Sequence, residues 1–239
     1  MRIALLADIH GNRIALERVL ADLRGAGADR IVCLGDLAAH GPEPRETLDL
    51  VRSLDGPVVM GNTDAGVCDI PEAPPGDKNW VRIGHLYRWC AAQLDEEHLA
   101  YLKSLPRSVQ LGDLFCCHGS PRSFDEKILA TTPDEELGRM LEGVHAELIA
   151  GGHTHVALLR RFGTQTFVNP GSVGIPMSID PRTGDQKLSR HAEYAIVTEQ
   201  PGGFAVEFRR VEFDPAAVRE AGRRGNLPHL EWWLGWWDI

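Results

Sequence analysis

Residues 2–10 read RIALLADIH: an unbroken apolar run from Ile3 to Ala7, then an aspartate and, two places on, a histidine. A run this short, bounded by polar residues, has the length of a buried strand. Residues 12–23 then put Leu16, Val19, Leu20 and Leu23 at helical spacing, and Gly25 and Gly27 stop that helix. The unit recurs: 30–34 reads as a strand ending at Gly35-Asp36, 44–54 as a helix, and 57–60 as a third strand ending at Gly61-Asn62. Strands that each end in a polar, glycine-rich loop describe an α/β sheet. In such sheets the chemistry gathers at the carboxyl ends of the strands.

The rhythm breaks at 65–105. A Pro/Gly-rich stretch, IPEAPPGDKNW, leads into two helical patterns at 81–94 and 95–105, which we read as a small helical cap inserted over the site. Further strands are expected at 114–117, 146–150, 156–161 and 166–168, and more exposed ones at 192–198 and 204–212. A helix at 215–221 and a tryptophan-rich tail, 226–239, close a single domain.

The chain has 239 residues, is 43% hydrophobic and carries a net charge of -9. That is enough to bury one core. The acidic balance argues against general nucleic-acid binding, which needs a basic face. Five cysteines without CxxC spacing read as free thiols of a reducing compartment. With no signal-like start and no membrane-length apolar run, a cytoplasmic protein that does not enter a membrane is expected.

Five short motifs stand at strand ends: Asp8-Ile9-His10, Gly35-Asp36, Gly61-Asn62-Thr63-Asp64, His118-Gly119 and Gly152-His153-Thr154-His155. Each alone is a common turn or cap. Together they offer hard oxygen and borderline nitrogen ligands at one sheet edge, a set that can hold divalent ions. On an extended segment, residues two apart point the same way, so Asp8 and His10 would grip one ion together, as would His153 and His155.

The ordered set DxH, GD, GNxD, HG, GHTH resembles the calcineurin-like metallophosphoesterase superfamily, and GDLAAHGPEP, CCHGSP and NPGSVGIP resemble its small prokaryotic phosphodiesterase-like branch. The resemblance runs from residue 2 to about residue 197. It implies an α/β/β/α fold, a two-sheet sandwich flanked by helices. It implies two divalent metal ions, one held by Asp8, His10, Asp36 and His155, the other by Asp36, Asn62, His118 and His153. Manganese is the first expectation, and iron, nickel and zinc fit the same ligands. A hydroxide shared by the ions would attack phosphorus in line, because a bound ion can lower the pKa of water from 15.7 to about 7.

Many superfamily members carry histidine, the implied proton donor to the leaving group, where this chain has Thr63. A hydroxyl is far too weak an acid for that role. The reading is therefore a phosphodiesterase acting on a small phosphoester, nucleotide-like esters included, with good leaving groups. A phosphomonoesterase or protein phosphatase on the same site, and a metal-binding scaffold without chemistry, are the alternatives. His40 and Asp64 are the remaining catalytic candidates. His40 is a proton donor or phosphate contact, or else a loop histidine against Pro42; Asp64 is more naturally a group that orients a ligand. Arg122 and Arg182 read as solvated. The tail's four tryptophans imply docking on the chain's own surface or a homodimer interface.

Overall fold

The computed structural model describes residues 1–179, 182–183, 186–237 and 239. Strand β1 (Arg2–Leu6) pairs in parallel with β2 (Arg30–Cys33), with Leu5 opposite Val32. Helix α1 (Arg13–Ala26) makes the crossover between them, capped by the Asn12 side chain, which accepts from the Ala15 N–H. The third expected strand, 57–60, shrinks to a single bridge between Cys33 and Val58. Pro57 has no N–H to donate, and the Met60 N–H turns away to the Pro106 carbonyl, so the ladder cannot extend.

Helices α2 (Pro44–Arg52), α3 (Asn62–Cys68), α4 (Lys78–Gln93) and α5 (Glu96–Ser104) follow. The chain then builds a second sheet from β3 (Val109–Leu111), β4 (Leu114–Cys116), β5 (Leu148–Ala150), β6 (Leu158–Phe162) and β7 (Gln165–Asn169), in the order β3-β4-β5-β7-β6, with α6 (Asp134–Met140) on its outer side. A hairpin, β8 (Met177–Ile179) with β9 (Gln186–Leu188), precedes β10 (His191–Gln200) and β11 (Gly203–Glu212). These last two return to the first sheet, giving the order β11-β10-β1-β2. Helices α7 (Pro215–Arg224) and α8 (Leu230–Leu234) and a 3₁₀ turn, Gly235–Trp237, end the chain.

Strand alternation explains the layering. Ile3, Leu5, Ala7, Val32 and Leu34 face Leu114, Cys116, Leu148, Ala150 and Val168 across the sandwich, while Ala4 and Leu6 face outward into the helix layer. The result is the expected α/β/β/α arrangement. Helices α4 and α5 join that helix layer: Leu86, Cys90, Leu94 and Leu102 share one apolar cluster with Leu16, Val19 and Leu48. The tail docks on its own chain. Trp233 and Trp237 are buried in the same cluster, and Trp232 and Trp236 are half buried against it. With none of the four exposed, the reason for a tail-mediated homodimer falls away. All five cysteines are free, and among the described residues no helix is long and apolar enough to cross a membrane.

Candidate metal centre

Six of the seven proposed ligands follow the carboxyl ends of β1, β2, β4 and β5, and Asn62, the first residue of α3, joins them. The backbone there is unusual. Asp8, His10, Asp36, His40, His153 and His155 all have positive φ, between 49° and 82°, a region that residues with a Cβ rarely adopt. Asp8 and His10 therefore converge for a different reason from the one expected. Each sits in the left-handed region, not on an extended segment, and their N–H groups are held by the Gly35 and Asp36 carbonyls of the neighbouring loop. Left-handed residues clustered at one site are the kind of local strain that functional sites keep.

Two glycines make room for the carboxylates. A Cβ on Gly61 would lie 2.1 Å from Asp36 Oδ1, and one on Gly152 would lie 2.8 Å from Asp8 Oδ2.

The imidazoles are oriented from behind. His10 Nδ1 donates to the Ala39 carbonyl at 3.0 Å, His118 Nδ1 to Leu34 at 2.8 Å, and His155 Nδ1 to Ile175 at 2.9 Å. A carbonyl can only accept, so each neutral ring presents a bare Nε2 lone pair to the site. His10 Nε2 and His155 Nε2 then face each other at 3.0 Å, lone pair to lone pair. Two acceptors at that distance repel unless a cation joins them, and about 3 Å is the spacing of neighbouring ligands each about 2.1 Å from one ion. Asp8 Oδ1 is 3.5 Å from the same His155 nitrogen.

The second cluster is built likewise. His118 Nε2 is 2.9 Å from Asn62 Oδ1, and His153 Nδ1 is 3.0 Å from that same oxygen. His153 Nε2 is buried without a partner. Asp36 lies between the clusters: Oδ2 is 3.7 Å from His10 Nε2, and Oδ1 is 3.4 Å from His118 Nε2. Asp8 also reaches both sides, since its ligand atom lies within 4.8 Å of those of His10 and His155 and, separately, of Asp36 and His118. Both the orphaned nitrogen and the opposed lone pairs fit divalent ions.

The electrostatics agree. Burial pushes the Asp8 carboxyl up to about 8, and the nearby Asp36 charge adds to that. Burial drives His155 down to about 4 and His10 well below the ordinary imidazole value. Burial opposes charge on His118 too, but the Asp36 carboxylate beside it wins and raises it to about 10; the same pairing holds Asp36 well below the usual carboxylate range against its own burial. The carboxylates thus favour positive charge at this point of the cluster, the charge a bound cation would bring.

Asp64 is not placed to do chemistry. It is fully buried, and its oxygens accept the N–H groups of Asp36, Leu37 and Gly61 at 2.8, 2.8 and 3.0 Å. It holds the Asp36 loop, and burial with the Asp36 charge raises it to about 7. Thr63 donates its backbone N–H to Asp36 Oδ1, while its Oγ1 is buried without a partner. His40 lies in the β2–α2 loop, and its ring turns toward the ligand cluster. Its ring is stacked between His10 and Tyr87, with centroids 5.3 Å from each, and its Nε2 is buried and unpaired. Burial pushes His40 down to about 4, so it is neutral at pH 7. Arg122 is tied to Glu126.

Residues outside the five ligand motifs also hold the site, two of them in the NPGSVGIP string. Ser172 Oγ donates to the Asp8 carbonyl, Asn169 Nδ2 to the Gly152 carbonyl and Asn12 Nδ2 to the Gly174 carbonyl. The NPGSVGIP loop thus braces two ligand loops from behind. Asn12 had a signal, as a helix cap two places after His10. Tyr87 and Trp233, whose Nε1 donates to the His40 carbonyl at 2.7 Å, had none.

Comparison with known proteins adds to this geometry. Residues 1–198 match the calcineurin-like phosphoesterase superfamily domain. The crystal structure of a metallophosphoesterase from Sphaerobacter thermophilus superposes with a TM-score of 0.78 at 32% identity, covering 99% of each chain. The protein MJ0912 of Methanocaldococcus jannaschii is 30% identical over 98% of this chain and 95% of its own length. Phosphodiesterase YfcE of Escherichia coli is 25% identical over 76% of this chain and 84% of its own.

Proposed function

The chain belongs to the calcineurin-like phosphoesterase superfamily, and on that premise we propose that it is a metal-dependent phosphodiesterase acting on esters with good leaving groups. One observation carries the reading: the two oxygens of Asp36 face different imidazoles, His10 on one side and His118 on the other. A carboxylate so placed fits the role of bridge between two ions. One would be held by Asp8, His10, Asp36 and His155, and the other by Asp36, Asn62, His118 and His153, with manganese the first candidate. Such a pair would supply charge neutralisation at the phosphoryl oxygens and a water acidic enough to attack near neutral pH.

The chain's own residues do the rest. The carbonyls of Ala39, Leu34 and Ile175 keep three rings turned inward, and Asp64 fixes the Asp36 loop, so little reorganisation is needed as charge develops. Thr63 leaves its place without a proton donor, and His40, neutral at pH 7, does not supply one. The leaving group must depart largely on its own acidity, which favours diesters of acidic alcohols. His40 keeps one buried, unpaired ring nitrogen beside His10, and we assign it to binding a phosphoryl oxygen.

The test compares p-nitrophenyl and phenyl diesters, and p-nitrophenyl phosphate, on the wild type and His40→Ala. The diester should be preferred over the monoester with the same leaving group. His40→Ala should lower kcat/KM by about tenfold on both aryl diesters alike, the loss of one hydrogen bond to a charged group. A loss confined to the phenyl ester would make His40 a proton donor, and a preference for the monoester would sink the diester reading.

A further inference from the structure

Past the ligand cluster, the site continues into a cleft of 560 Å³ that the chemistry above leaves unused. His40 and His155 line it together with Met177, Lys187 and Leu188 of the β8–β9 hairpin and Trp236 of the tail. That volume is within the range of about 300–1,000 Å³ typical of pockets that enclose small organic ligands. The tail wall lies beyond residues 1–198, the part matched to the shared phosphoesterase domain. It is a built feature: the 3₁₀ turn packs against β9, Trp236 meets Trp232 edge-on at 4.7 Å, and Trp233 anchors the tail to the His40 carbonyl.

Resting on the phosphodiesterase reading, the geometry points to this cleft as the subsite for a flat aromatic ring on the substrate, of the nucleobase class, with Trp236 as the specificity-determining residue. The organic arm of an ester bound at the ligand cluster has this cleft, beside His40 and His155, to enter. An indole and a thioether in one lining suit a planar, polarisable ring better than an alkyl chain. The Lys187 ammonium adds a cation beside it, matching the acceptor-rich edge of a base.

The experiment is a calorimetric titration of the Mn²⁺-loaded protein with adenosine 5′-monophosphate, ribose 5-phosphate and adenosine. The variants are Trp236→Ala, Trp236→Phe and, as a change outside the tail, Met177→Ala. The wild type should bind the nucleotide about tenfold more tightly than the sugar phosphate, the gain expected of one stacked base. Trp236→Ala should abolish that difference without changing ribose 5-phosphate affinity, Trp236→Phe should restore it, and Met177→Ala should reduce it several-fold. Equal affinity for the two phosphates in the wild type, or equal weakening of both by Trp236→Ala, overturns the subsite. Adenosine binding that depends on Trp236, without ribose 5-phosphate binding, supports the subsite and counts against the phosphoester reading instead.

Discussion

Asp36→Asn should lower kcat/KM for bis-p-nitrophenyl phosphate by about 10³-fold or more while the protein stays folded. Removing a single fixed donor from a charge-stabilising site already costs about 10²–10³, and Asp36 is asked to serve both halves of the centre. Its Oδ1 accepts the Thr63 N–H and lies 3.4 Å from His118, and its Oδ2 lies 3.7 Å from His10. Asparagine can keep the Thr63 bond through its carbonyl oxygen. It must then turn an NH₂ toward the His10 side, where a carboxylate oxygen had been, and the bridging charge is gone. Some stability is lost, because Asp36 is held ionised beside His118 and removing one partner of a buried pair is destabilising. Rates above a tenth of wild type with metal present, on protein that a melting curve shows to be folded at the assay temperature, would contradict the bridge.

Trp233→Ala should have the largest effect on stability, a loss of about 3–5 kcal/mol, the range for removing a buried tryptophan or phenylalanine side chain. Trp233 is fully buried, and it fits so closely that a Cβ on Gly222 would lie 2.5 Å from its ring. For a chain of this size the loss corresponds to a melting temperature lower by about 10 °C. The consequence reaches the site, since the Trp233 N–H is the donor to the His40 carbonyl and His40 holds a left-handed backbone at φ 82°. Activity below the melting transition should therefore fall as well. Trp233→Phe should recover most of the stability and less of the activity, because a phenyl ring packs but cannot donate. Equal recovery of both would show that the bond to His40 has no bearing on the reaction.

The proposed ligands were legible because they follow predicted strand ends, most of them beside a glycine, and strand ends are local in sequence. Asp8 followed by His10 marks the end of β1 whatever surrounds it. The reason these two converge was not legible, since left-handed backbone at an aspartate and a histidine is imposed by hydrogen bonds to Gly35 and Asp36 on the next loop. The second sheet was only partly visible. β3 and the β8–β9 hairpin strands are three residues each, too short to carry a period, and α6 is just seven. The strand expected at 57–60 failed on Pro57, which a ladder cannot use. Tyr87 and Trp233 come to His40 from helices 47 and 193 residues further along the chain, and no spacing rule spans that distance.

The central claim, two ions bridged by Asp36, is tested most directly by stripping the protein of metal and titrating Mn²⁺ back while following bis-p-nitrophenyl phosphate hydrolysis and bound metal together. The account predicts no turnover in the stripped protein and a return of rate that completes at two equivalents per chain. Full activity at one equivalent, or no turnover with manganese, iron, nickel or zinc at any loading, would contradict it.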